Sequence, residues 1–113
     1  MDCIFCKIVE GTIPSTKVYE DDRVLGFLDI RPSAPVHVLI IPKKHIPSVT
    51  EAEGEDFSLI GDMHRVAQQI AKEKGVAESG YRLLSNSGPD SGQEVFHLHL
   101  HLLGGEKLGS VNG

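Results

Sequence analysis

No apolar run in this sequence approaches the roughly 18 residues that a membrane-spanning helix needs, and no secretory signal segment is present. With 40% hydrophobic residues among 113, the chain reads as a soluble, cytoplasmic protein without a membrane partner. Basic charge is short too: 11 Lys and Arg stand against 16 Asp and Glu, a net charge of −5. Duplex nucleic acid demands a basic face, so it is excluded as a partner. Lys43-Lys44 is the only adjacent basic pair and reads as a solvated strand end. Neither a GxGxxG fingerprint nor a Walker loop occurs, so any nucleotide must be held in another way. Internal repeats and low-complexity segments are absent as well. The length suits one domain with one core.

Cysteine is equally sparse. The two residues, Cys3 and Cys6, form a Cys-x-x-Cys pair at the start of the chain. Without a secretory signal a structural disulfide is disfavoured, which leaves a metal knuckle, a redox pair or two incidental thiols. A redox pair belongs at a strand-to-helix turn inside a βαβ unit, and no strand is read ahead of Cys3. Zinc needs two more ligands, which the isolated His45 and His97 can supply as a Cys2His2 set.

What the chain does have is histidine in a row. His97-Leu98-His99-Leu100-His101-Leu102-Leu103 holds three of the six histidines at two-residue spacing. On a strand, alternate side chains share a face, so the imidazoles line one side and the leucines enter the core on the other. The outer pair, His97 and His101, would stand roughly 13 Å apart, too far for one metal to collect all three without a bend. Three readings are open: a two-histidine metal site, a polar solvated strand face, or acid/base and nucleophilic chemistry, for which imidazole is suited near neutral pH. The segment Asn86-Ser87-Gly88-Pro89-Asp90-Ser91-Gly92-Gln93-Glu94 runs straight into this row. It is either a hairpin connection or a glycine-rich loop whose amides, with Asn86 and Gln93, face a phosphate or carbonyl oxygen.

The remaining elements follow from periodicity. Ile4, Phe5, Ile8 and Val9 recur at helical spacing before Gly11, predicting a short N-terminal helix over 4–10. Lys17 to Glu20 and Arg23 to Asp29 read as a hairpin about an acidic turn. Pro35 to Pro42 is a continuous apolar run and hence a central strand. Leu59, Ile60, Met63, Val66, Ala67 and Ile70 predict one long helix over 56–74 that stops at Gly75, with Thr50-x-x-Glu53 as a capping box ahead of it. Tyr81 to Asn86 and Val95 to Leu103 complete the sheet. The class is α+β with a mainly antiparallel sheet, one long helix and a short N-terminal helix. A domain over 1–105 is followed by a flexible tail over 106–113. Taken singly, His37 is a hydrogen-bonded core residue or an outward one, Asp29 a strand-end cap, and His64 a solvated helix residue. Ile4, Phe5, Ile8, Ile13, Phe27, Leu28 and Ile30 read by default as core.

Asn86, Gly92-Gln93, the row His97, His99 and His101, and Asp29-Ile30-x-Pro-x-Ala-Pro-x-His37 together resemble the histidine triad (HIT) family in its Hint branch, over about Cys3 to Gly105. That resemblance implies the HIT-like fold, a homodimer paired through the long helix and the strand after it, and a purine nucleotide (an AMP or GMP derivative) as partner. It implies hydrolysis of nucleoside 5'-phosphoramidates, in which His99 attacks the α-phosphorus to give a covalent nucleotidyl-histidine that water then cleaves. A backbone carbonyl should hold the other ring N–H of His99. His101, Asn86 and Gln93 would steady the phosphoryl oxygens, and His37 would touch phosphate or support His99. Asp29 would grip ribose hydroxyls, with Ile30, Phe5, Ile8, Phe27 and Val95 toward the nucleotide. Glu94 stands where the best-known Hint relatives have serine, and it can supply the leaving-group proton only with a raised pKa. Relatives similar to this chain bind structural zinc at the positions of Cys3, Cys6, His45 and His97, and no catalytic metal is required. The alternatives are a dinucleoside polyphosphate hydrolase or nucleotidyltransferase, a non-catalytic nucleotide-binding regulator, and a metal-dependent hydrolase.

Overall fold

The computed structural model describes residues 3–111; the outermost positions of the expected domain and tail, 1–2 and 112–113, lie outside the described residues. Helix α1 covers Ile4–Glu10 and ends where Gly11, at φ 86°, turns its N–H back onto the carbonyls of Ile8 and Lys7. Strands β1 (Lys17–Glu20), β2 (Val24–Leu28) and β3 (Val36–Pro42) follow, then α2 (Asp56–Glu73), β4 (Tyr81–Leu84) and β5 (Leu100–Gly104). The sheet order is β1-β2-β3-β5-β4, and every neighbouring pair is antiparallel. The expected α+β architecture, with its central Pro35–Pro42 strand and single long helix, is what folds.

The sheet separates two apolar layers, and the period-two alternation of its strands does the sorting. Val24, Val38, Ile40, Leu98, Leu100 and Leu102 pack with Leu59, Met63, Val66 and Ile70 of α2. On the opposite face Leu25, Phe27, Leu39 and Ile41 pack with Phe5 and Ile8 of α1. Leu98, Leu100 and Leu102 of the histidine row therefore enter the α2 core, as the alternation requires, while Leu103 stays half-buried on the other face. Gly26 lies against the α2 side chains: a Cβ there would lie 3.0 Å from Ile70 Cδ1 and 3.5 Å from Tyr19 Cβ. Gly26→Val should overpack this contact and cost about 2 kcal/mol, lowering the melting temperature by about 8 °C. An unchanged thermal melt would show that the helix lifts off the sheet freely.

Three boundaries differ from the expectations. The ladder of β5 begins at Leu100, not Val95, and its last pair with β3 is Leu100 opposite Ile40. Leu98 N–H bonds instead to the Ile46 carbonyl at 2.7 Å. The capping box does not form at Thr50 and Glu53, since Gly54 at φ 45° breaks the chain between them and α2. Ser48 caps a separate turn over Val49–Glu51 and donates to Glu51, while Asp56 accepts the Glu53 N–H at 3.0 Å. Finally, β4 stops at Leu84. Ile30, at 90% exposure, and the exposed Ile4 are not core residues. In the expected tail, the Gly109 carbonyl accepts a 2.7 Å bond from Arg82 Nη2.

Candidate active site

On the α1 face of the sheet, Leu39 of β3 is paired with His101 of β5, which sets His37 diagonally across from His101. Their rings meet: His37 Nε2 and His101 Nδ1 are 2.9 Å apart. The Ser33 N–H donates to His37 Nδ1 at 3.0 Å, so the His37 proton resides on Nε2 and is given to His101. His101 thus accepts at Nδ1 and carries its own hydrogen on Nε2. His37 supports His101, not His99. Asp29, one residue beyond β2, accepts the Arg31 N–H through Oδ1 at 2.8 Å and brings Oδ2 to 3.4 Å from His37 Nε2. It is both the strand-end cap and part of the site. Asp29, His37 and His101 lie close enough to hold a metal ion, but the His37 N–H fills the space between them.

His99 is arranged in the opposite sense. Its Nδ1 donates to the His97 carbonyl at 2.7 Å, the backbone partner that was expected, so Nε2 offers a lone pair. The His99 and His101 ring centroids are 4.9 Å apart. Both side by side, one presents an electron pair and its neighbour a hydrogen. Burial pushes His99 below the usual imidazole range, against the opposing pull of the His97 carbonyl and Asp29. Burial, then the adjacent His99 and His37, carry His101 down to about 4. Burial also lowers His37. These imidazoles are therefore neutral at physiological pH.

The pair opens on a cavity of about 440 Å³ whose walls include Phe5, Asp29, His37, Asn86, Glu94 and Val95 with His99 and His101. Arg31, Ser33, Leu39 and Gly92 also line it and were not singled out beforehand as nucleotide contacts. Arg31 and Ser33 lie inside the Asp29–His37 segment, and Leu39 shares His37's face by alternation, so the signal was present. Phe5 sets its ring edge-on to Phe27 at 5.6 Å and to His99 at 5.1 Å. Ile8 and Phe27 back this wall from within the same apolar cluster. Gln93 is directed inward: its Oε1 accepts the Gly88 N–H, and its Nε2 donates to the carbonyls of Pro47 and Val95. Both amide hydrogens are committed, so Gln93 braces the 86–94 loop and has no donor left for a phosphate. His64 is exposed on α2 and donates to the Ile60 carbonyl, a solvated helix residue as expected.

His97 faces a separate centre. Its Nδ1 stands 3.3 Å from Cys3 Sγ, 3.6 Å from Cys6 Sγ and 3.2 Å from His45 Nδ1, and His45 Nδ1 is 3.4 Å from Cys6 Sγ. Four donors on tetrahedral zinc stand about 3.3–3.8 Å apart, given bonds of about 2.0–2.3 Å. His97 Nε2 donates to the Pro42 carbonyl at 2.7 Å, which leaves its Nδ1 lone pair turned into the cluster. A backbone acceptor on the far nitrogen is the usual support of a metal-bound histidine. Burial and the adjacent Cys3 thiol push Cys6 up to about 11, a cost that a bound cation reverses. The four residues together could hold a metal ion.

The comparisons with known proteins agree with this geometry. The family model for the HIT domain matches residues 10–108. A purine nucleoside phosphoramidase of Escherichia coli strain K12 is 50% identical over 110 residues, covering 97% of this chain and 92% of that protein. A histidine triad protein from Clostridium difficile superposes with a TM-score of 0.95 at 53% identity, covering 99% of this chain and 97% of that one. A histidine triad nucleotide-binding protein from Candida albicans gives 0.83 at 34% identity, covering 99% and 87%. With its paired imidazoles of opposite hydrogen-bonding sense and a match that spans nearly its whole length, this chain belongs to the HIT domain family.

Proposed function

We propose that this protein is a purine nucleoside phosphoramidase that works through a covalent nucleotidyl-histidine. The observation that carries the reading is the His99 Nδ1–H bond to the His97 carbonyl, which leaves Nε2 unprotonated on the cavity wall. His99 Nε2 forms a bond to the α-phosphorus as the P–N bond breaks, and the leaving nitrogen takes a proton from solvent at the open rim, which the hydrolytic water returns in the second step. Water then attacks the same phosphorus, the P–Nε2 bond breaks, and a nucleoside monophosphate leaves. The Nε2–H of His101 and the Asn86 amide stabilise the phosphoryl oxygens as charge spreads over them. Asp29 accepts from the ribose hydroxyls. The purine lies against Phe5 and Val95, backed by Ile8 and Phe27, with Ile30 at the outer lip. Glu94, exposed at the rim, is on the leaving-group side.

In this reading the Cys3, Cys6, His45 and His97 cluster holds zinc as a structural tie between α1 and the sheet. Zinc supplies no step of the reaction. The protein acts in the cytoplasm, where both cysteines stay reduced and free to bind the metal as thiolates. It is a homodimer, joined through α2 and the outer edge of β4, an end strand of the sheet.

Incubation with adenosine 5'-phosphoramidate should release AMP and ammonia, faster than diadenosine polyphosphate is cleaved. Preference for the polyphosphate would assign the dinucleoside hydrolase activity instead. AMP binding without turnover of either would make the chain a nucleotide-binding regulator.

A further inference from the structure

His97 is engaged three ways at once. Its Nδ1 belongs to the cysteine cluster, its Nε2–H is given to the Pro42 carbonyl, and its own carbonyl accepts the His99 Nδ1–H. The peptide that fixes the His99 tautomer is therefore part of a residue whose side chain is a candidate metal ligand. That peptide lies outside the β5 ladder, which starts only at Leu100. Sheet hydrogen bonds do not orient it. The Leu98 N–H does bond to Ile46, but Ile46 directly follows His45, another member of the cluster. A second route leads to the same ring. Phe5 lies between Cys3 and Cys6 in the chain, and its ring sits edge-on to His97 at 5.9 Å and to His99 at 5.1 Å, the latter at 90°.

We infer that the Cys3–Cys6–His45–His97 cluster positions the nucleophile: an ion held there fixes the His97 carbonyl and the Phe5 ring, and through them keeps the His99 hydrogen on Nδ1. The kinetic part rests on the reading of His99 as nucleophile; the tautomer part stands without it. A cluster that merely staples α1 to the sheet would change the melting temperature and nothing at His99. A cluster that positions His99 changes its tautomer and the rate of P–N cleavage while the cavity still binds nucleotide.

The test uses the full chain with zinc, the same chain stripped by a chelator, and Cys6→Ser and Cys6→His, all kept well below their melting temperatures. Two-bond proton–nitrogen spectra read the His99 ring, and AMP titration and phosphoramidate turnover follow. Zinc-loaded protein should hold His99 protonated at Nδ1. Stripped protein and Cys6→Ser should give mixed tautomers, with kcat lower by about tenfold and AMP affinity within about twofold of the loaded protein. Zinc should restore the stripped chain, and Cys6→His should respond to zinc where Cys6→Ser does not. Loss of all activity on stripping would mean that the ion takes part in the chemistry, and the inference fails. It fails equally if His99 stays Nδ1-protonated and kcat is unchanged in the stripped protein. Should the stripped chain unfold, His45→Cys keeps four donors but shortens one, so it must shift the His99 nitrogen signals and slow turnover; unaltered signals overturn the inference. If no form turns over phosphoramidate, the spectra still decide it.

Discussion

His99→Ala should lower phosphoramidate turnover by at least about 10⁴-fold while leaving AMP binding nearly intact, because it removes the attacking atom and little else. The effect is separable from that of His101→Ala. His101 contributes an N–H to the phosphoryl oxygens, and loss of one such donor costs about 10²–10³-fold. With labelled substrate, rapid acid quenching should trap nucleotidylated wild-type protein and none of the His99→Ala protein. The space left by His99 opens on the cavity, so added imidazole should enter it, accept the nucleotidyl group from substrate and restore part of the lost rate. Full turnover in His99→Ala would remove His99 as nucleophile. A loss of AMP affinity as large as the loss of rate would reduce its role to binding.

Much of this site was legible because β-structure converts spacing into direction. His99 and His101 at i and i+2 had to share a face, and the leucines between them had to enter the α2 core; both hold in the structure. The requirement that a carbonyl hold the second nitrogen of His99 followed from what a nucleophilic imidazole needs, and the His97 carbonyl meets it. The helix over Asp56–Glu73 was equally plain, with apolar residues at three and four and Gly75 after it. What escaped depends on partners distant in the chain. Nothing local reveals that the Pro42 carbonyl takes the His97 hydrogen across 55 positions, or that the Leu98 N–H leaves the ladder for the Ile46 carbonyl. Gln93 looked like a phosphate donor by type, yet a side-chain amide beside glycines serves equally well as a brace, and only the carbonyls of Pro47 and Val95 decide between the two. His37 was assigned to the site through the family resemblance, but its partner depends on strand register, which carries it to His101. Ile30 was misread because its hydrophobicity says nothing of a chain that has just left β2 for an exposed loop.

Acid should unfold this protein earlier than its carboxylates alone would dictate, and the His37–His101 pair is the reason. Both rings are held below the ordinary imidazole value of 6.5, His101 at about 4, with burial the leading cause in each. A group that resists protonation when folded lets the unfolded chain take up the proton first. Stability is then complete above about pH 6.5, falls as the pH drops through that value, and levels off at His101 only near pH 4. One pH unit of such depression is worth about 1.4 kcal/mol. Solvent at the cavity mouth screens part of it, so His101 alone should cost about 2 kcal/mol across this window, a fall of about 8 °C in melting temperature. His37 adds to the loss in the same direction. Asp56 behaves oppositely, since the Lys44 ammonium and then the Glu53 N–H hold it below its ordinary 3.8, and its contribution is lost only at still lower pH. The melt should therefore descend in two stages, histidine first and carboxylate second. His101→Gln keeps an acceptor for the His37 N–H but cannot titrate, so it should make the first stage shallower, with His37 and His99 still contributing, and leave the second. A melting temperature that stays level from about pH 7 to pH 4.5, or a His101→Gln slope equal to that of the parent, would mean that these rings are protonated as readily in the folded chain as in the unfolded one.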